Sequence, residues 1–260
     1  MFILQSPGEI AFNIFNISVY WYGVIMAFAV FVGVLCANKL AKSTTLPANF
    51  FIDYSPAFII VGLLGARLYY CILNWNYYFF KALEILDIRQ GGLSIHGMII
   101  LSVLGIYILA KKKGLEFFKI ADILACSAVL AQSIGRWGNF FNSEAFGLPT
   151  SGYLGLYIQP QYRPVEYFNE NFFHPTFLYE SLLNLLIFFV LLFVYKNKIG
   201  NVGSVFSLYL ILYSIVRFFI EGLRIDSALS VFNFPIAQVV SVILFFVGIC
   251  LLLFINRKSN

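Results

Sequence analysis

Of the 260 residues, 61% are apolar and only 11% charged, and the mean hydropathy is +0.86. A soluble domain is nearer half apolar and a quarter charged, so a chain this poor in charge cannot keep a globular surface wet. It is read as an integral membrane protein, which excludes a disordered chain, a fibre and a disulfide-rich secreted scaffold; the formal charge of +5 matters less than where the charges fall.

Apolar runs near the length needed to cross a bilayer, about 20 residues, recur in order at Val19–Ala37, Ile52–Leu73, Ile95–Ala110, Ile120–Ile134, Phe177–Tyr195, Val202–Ile220 and Ile236–Ile255. The third and fourth are short and are expected to borrow flanking residues. No internal repeat, low-complexity tract or flexible linker divides the chain. Residues 1–260 therefore read as a single all-α, polytopic membrane domain with seven transmembrane helices.

Lysine and arginine set the expected orientation. With the N-terminus outside, the inner segments hold Lys39, Lys42, Lys111, Lys112, Lys113, Lys119, Lys196, Lys198, Arg257 and Lys258, ten of the 17 basic residues. The other seven, Arg67, Lys81, Arg89, Arg136, Arg163, Arg217 and Arg224, fall in outer loops or toward outer helix ends. The C-terminus is then cytoplasmic. No basic segment precedes the first apolar run, so a cleaved signal peptide is not expected. Cys36, Cys71, Cys126 and Cys250 lie in or at the ends of apolar runs, as small buried hydrophobes do, with neither metal nor redox spacing.

Ionisable side chains at membrane depth are costly and are functional candidates by default. Tyr22 opens the first span, Arg67 lies toward the outer end of the second, and His96 opens the third beside Gly91, Gly92 and Gly97. A lone histidine there fits a structural residue, or a proton acceptor for a thiol or hydroxyl. At the end of the fourth span stand Arg136, Asn139, Asn142 and Glu144, interleaved with Gly135, Gly138 and Gly147. The glycines let backbone approach a ligand closely, and arginine offers a fork of donors suited to a phosphate or carboxylate. His174, Tyr179 and Glu180 open the fifth span. In the sixth, Tyr213, Arg217 and Glu221 recur at i, i+4 and i+8 on one helical stripe, with Arg224 three further on. These residues gather at one level and are expected to line one cavity. The outer segment 142–174, rich in Tyr, Phe, Gly and Pro, is expected to form a small extracytoplasmic cap.

Residues Gly135–Gly147 resemble, position by position, the signature G-R-x-[GA]-N-F-x-N-x-E-x-x-G of the bacterial prolipoprotein diacylglyceryl transferases. The resemblance continues through Trp21-Tyr22-Gly23, Gly65-Ala66-Arg67, Gly91–Gly97, His174-Pro175-Thr176 with Tyr179-Glu180, and Arg217–Glu221 with Arg224. One departure is Met98, where the family usually has a second glycine after the histidine. The resemblance implies transfer of the diacylglyceryl group of phosphatidylglycerol to the lipobox cysteine of a prolipoprotein signal peptide. A thioether forms and glycerol 1-phosphate leaves, in the bacterial plasma membrane, with the active site at the outer leaflet. It implies catalytic roles for His96, Arg136 and Arg217, with Arg136 and Arg217 on the phosphate. Substrate contacts would come from Asn139, Glu144, Gly147, Tyr22, Tyr213 and Glu221, with support from Arg67, Asn142, His174, Glu180 and Arg224. No metal, cofactor or nucleic acid is implied. A transporter or flippase for an anionic lipid is the alternative, but it predicts polar residues near the midplane. A retinal protein would need a lysine in the last span, which has none.

Overall fold

Within a bilayer, helices and closed barrels alone satisfy every backbone polar group, and the chain takes the first course. The computed structural model describes residues 2–15, 17–87, 91–225, 230–231 and 234–259; Arg89, counted above among the outer basic residues, lies outside them. In chain order the elements are β1 (Phe2–Gln5), β2 (Ile10–Ile14), β3 (Ile17–Tyr20), α1 (Trp21–Ala41), α2 (Phe50–Leu73), α3 (Trp75–Tyr78), α4 (Ile95–Lys113), α5 (Phe117–Phe141), β4 (Leu154–Tyr157), β5 (Phe172–Phe173), α6 (Thr176–Lys196), α7 (Ser204–Leu223), β6 (Ser230–Val231), β7 (Phe234–Pro235) and α8 (Ile236–Ser259). All the helices except the single turn α3 are long and apolar enough to cross a membrane, which makes seven among the described residues. The two short apolar runs do borrow neighbours. The fourth grows at both ends into the 25-residue α5, so Gly135–Phe141, expected at a helix exit, is itself helical.

The described residues form two compact units, a larger one of Met1–Ala37 with Ala121–Asn260 and a smaller one of Asn38–Ile120. In the larger unit α5 is the helix to which the others are tied. Ser133 and Ser181 each donate from the hydroxyl to the other's carbonyl at 2.8 Å, joining α5 to α6. Gln132 donates to the Tyr209 hydroxyl at 3.0 Å, joining α5 to α7. The carboxylate of Asp122, 6% exposed, accepts from the Gly203 and Phe206 amides at 2.6 and 2.7 Å. Those amides belong to the first turn of α7, which has no partners of its own there, and the negative charge also faces the positive end of the helix dipole. Small residues allow close helix approach where hydrophobic attraction is absent. A Cβ on Gly33 would lie 3.4 Å from that of Ala131, and one on Gly248 would lie 3.0 Å from the Ser207 carbonyl.

Segment 142–175 folds against this bundle. β1 runs parallel to β4, with Phe2 opposite Leu154, and β5 pairs antiparallel with β4 on its other side. Phe146, Leu156, Ile158 and Phe173 pack with Phe177, the second residue of α6, so one apolar cluster joins the sheet to that helix.

In the smaller unit α2 packs on α4. A Cβ on Gly65 would strike the Gly97 carbonyl, and one on Gly97 would strike the Gly65 carbonyl and Tyr69. Met98 finds its room in the same groove: a Cβ on Gly62 would lie 3.3 Å from Met98 Cγ and 3.1 Å from the Ser102 hydroxyl. The side chain that departs from the resembled motif is thus accommodated by a glycine on the facing helix.

Replacing Asp122 with alanine leaves two buried amides at the start of α7 unpaired. The expected cost is about 1–3 kcal/mol, read as an earlier unfolding midpoint in micelles. An unchanged midpoint would show that Asp122 does not anchor α7.

Candidate functional site

The side chains singled out in α5, α6 and α7 meet in the larger unit. Glu180, in the first turns of α6, is 2% exposed and forms ion pairs with both arginines: Arg136 Nη2 lies 2.5 Å from Oε1, and Arg217 Nη1 lies 3.4 Å from Oε2. Arg217 Nη2 also reaches Glu221 Oε2 at 2.6 Å, the i, i+4 pair that the spacing allows. Two guanidiniums and two carboxylates thus form one chain of alternating charge, formally neutral. Burying such charges is tolerable because each has a partner. The side chains of Arg136 and Arg217 keep 22% and 17% of their surface exposed, so they are the parts of the cluster that an incoming anion can touch.

From Arg136 the network continues outward. Its Nη1 donates to Asn139 Oδ1 at 3.4 Å, Asn139 Nδ2 donates to Glu144 Oε1 at 2.9 Å, and Asn142 Nδ2 reaches the same oxygen at 3.4 Å. Tyr213 on α7 lies within the electrostatic reach of Glu180, Arg136 and Arg217, and its ring stacks on Tyr209 at 5.6 Å. Glu144 is exposed and lies between Ser143 and Ala145, both left-handed at φ 53° and 55°. Non-glycine residues rarely hold that backbone, which costs of order 1–3 kcal/mol each where it persists. Thr176, 1% exposed, helps to fix it by donating to the Ala145 carbonyl.

Tyr22 and the glycines enter through contact. A Cβ on Gly138 would lie 2.9 Å from the Tyr22 ring, so Gly138 is what lets α1 bring that tyrosine against α5. Gly147 sits at a junction: its amide donates to the His174 carbonyl, it bridges Arg224, and a Cβ would lie 2.9 Å from His174, Thr176 and the Leu223 carbonyl alike. Its contacts join the ends of α6 and α7. His174 is held through its backbone amide, which donates to the Leu148 carbonyl, and its Nδ1 lies 3.3 Å from the Tyr179 hydroxyl.

His96 and Arg67 belong to the smaller unit. His96 is exposed, in the first turn of α4, with its ring 6.2 Å from that of Tyr69. Arg67 is 5% exposed, and its guanidinium is spent on the backbone carbonyls of Glu84, Ile85, Gly91 and Gly92. The Glu84 side chain is held in turn by Tyr77 and Lys81, whose hydrogen bonds keep its carboxyl below the ordinary carboxylate range.

The resemblance gives Glu180 only a supporting part, and no local period in the sequence links α6 to α5 or α7. It also passes over Asn184, one turn further along α6, fully buried with neither side-chain polar atom bonded among the described residues. Its one advance signal is a polar residue four positions after Glu180 in an otherwise apolar run.

Fold and site together define a multi-pass membrane protein with a buried arginine–glutamate cluster at one end of a helix bundle. The family model for prolipoprotein diacylglyceryl transferase matches residues 9–254, and the chain belongs to that family. Proteins named phosphatidylglycerol–prolipoprotein diacylglyceryl transferase are similar to it over nearly their whole length. One from Finegoldia magna is 42% identical, covering 94% of both chains. One from Prochlorococcus marinus strain MIT 9301 is 39% identical over 98% of this chain and 95% of the relative. One from Thermosynechococcus vestitus is 41% identical over 94% and 91%.

Changing Glu180 to glutamine removes the charge between the arginines and keeps the shape. Breaking a buried pair this way costs about 3–5 kcal/mol, so the variant is expected to unfold at clearly lower denaturant in micelles. Wild-type stability would mean that the cluster is held by something other than that carboxylate.

Proposed function

We propose that this chain transfers the diacylglyceryl group of phosphatidylglycerol to the lipobox cysteine thiol of a prolipoprotein, forming a thioether and releasing glycerol 1-phosphate. The reaction takes place at the outer leaflet of the bacterial plasma membrane, with the N-terminus outside and the C-terminus in the cytoplasm. Membership of the family and the relatives' names support the reaction class. The distribution of lysines, most of them in the segments opposite the arginine-bearing helix ends, supports the orientation.

The observation that carries the chemistry is the pair of arginines, brought together from two helices by one buried glutamate. In phosphatidylglycerol the phosphate is a diester with one negative charge. As the thiolate sulfur bonds to the glycerol carbon, the bond from that carbon to the phosphate oxygen breaks. The electron pair stays on the phosphate, which leaves as a monoester with a second charge. Forks fixed in place against that group stabilise charge that grows only in the transition state. Arg136 and Arg217 take this role. Asn139 and Glu144 orient the hydroxyls of the headgroup, while Tyr22, Tyr213 and Gly147 shape the site and Glu221 fixes Arg217. Asn142, His174 and Arg224 support these elements.

The attacking thiol must lose a proton, since the thiolate is the nucleophile. His96 is assigned as the acceptor, from its exposure at the start of α4 and from the motif around it. Segment 142–174 serves as the cap that admits the signal peptide, and its packed aromatic cluster supports an ordered rather than a loose surface.

The direct test is purified protein with phosphatidylglycerol and a lipobox peptide. The expected result is a peptide mass gain of one diacylglyceryl group with equimolar release of glycerol phosphate; absence of both would overturn the assignment. Arg136→Ala is expected to lower turnover by about 100-fold or more while still inserting in the membrane. Normal turnover by that variant would sink the phosphate assignment.

A further inference from the structure

Arg67 is grouped by its position with the arginines that face the lipid phosphate, yet its guanidinium is occupied. Nε donates to the Ile85 carbonyl at 2.9 Å, Nη1 to the Gly91 and Gly92 carbonyls at 2.8 and 3.1 Å, and Nη2 to the Glu84 carbonyl at 2.5 Å. Arg67 Cζ stands over the Tyr78 ring, 5.1 Å from the centroid. Four of the five N–H groups of an arginine are then used, and one remaining donor cannot grip a phosphate in the two-point manner that favours arginine.

These carbonyls belong to the segment that leads into α4. Gly92 is left-handed at φ +73°, and a Cβ there would lie 2.6 Å from Arg67 Nη1 and from the Tyr70 ring. Two residues on, the Ser94 amide donates to the carbonyl of Ala66, the neighbour of Arg67. Three further on, Gly97 presses against Gly65. Consecutive residues of α2, 65 to 67, therefore hold the backbone on both sides of His96.

We infer that Arg67 is a positioning residue that sets the backbone of Gly91–Gly97 and so the height and direction of His96, and that it does not bind substrate. This rests on the assignment of His96 as the proton acceptor. A lysine at 67 keeps the charge but has a single ammonium, which cannot reach carbonyls spread over both Glu84–Ile85 and Gly91–Gly92.

A double-mutant cycle of Arg67→Lys and His96→Ala, with kcat and the KM for phosphatidylglycerol measured on purified protein, tests the inference. Arg67→Lys is expected to lower kcat by about 10- to 100-fold, the scale of a misplaced catalytic group, with KM within about twofold. In the His96→Ala background the same change is expected to cost less than about twofold, because the group it positions is gone. A raised KM with kcat kept, or an equal loss in both backgrounds, would overturn the inference. Full turnover by His96→Ala alone would instead overturn the proton-acceptor assignment, whatever Arg67 does. If Arg67→Lys does not accumulate in the membrane, Gly92→Ala disturbs the same contact from the other side. It is expected to give the same pattern, and an additive loss from it would count equally against the inference.

Discussion

Glu180 sits almost without exposure between Arg136 and Arg217, and the geometry of the larger unit follows from that sharing. Two guanidiniums brought together at low dielectric repel strongly unless a negative charge lies between them. One carboxylate removes the repulsion and, having two oxygens, also fixes the spacing and tilt of both forks. Glu221 holds the far side of Arg217, and Asn139 the near side of Arg136. The requirement that three helices deliver these groups to one point explains the ties further along the bundle. Ser133 to Ser181, Gln132 to Tyr209 and Asp122 to the start of α7 all set helices against α5. Each is a polar contact in an apolar medium, where an unpaired group is costly, so each resists sliding.

The arginines of this chain divide by what their donors meet. Arg136 and Arg217 are paired with carboxylates and keep part of their surface open, the condition for exchanging one anion for another. Arg67 meets carbonyls, whose partial charges hold a cation in place without cancelling it, and it is closed in. On the function proposed above, the same residue type serves recognition in one unit and architecture in the other. Residue identity and depth in the membrane do not separate the two uses; the partners do.

The seven spans could be read directly, because bilayer thickness imposes one length on every helix and apolar composition marks it. The ends were harder. α5 runs on to Phe141 because glycine is tolerated in a membrane helix when its backbone bonds are kept, so Gly135 and Gly138 punctuate without ending it. The pairing of Arg217 with Glu221 was legible as a period on one helix. The central place of Glu180 was not, since it depends on how α6 faces α5 and α7, which no local pattern records. The short strands β1, β4 and β5 also escaped, being too brief for alternation to show, and β1 joins β4 across about 150 positions of sequence. The fit of Met98 is likewise tertiary, since it depends on Gly62 standing opposite it on α2.

If Glu180 makes Arg136 and Arg217 one anion site, the two arginines act as a unit on the lipid headgroup. The most direct measurement is the binding of phosphatidylglycerol in bicelles to Arg136→Ala, to Arg217→Ala and to the double variant. The account predicts that the second substitution adds little to the first, with a coupling of about 1 kcal/mol or more between them. Losses that simply add would show two independent contacts and contradict it.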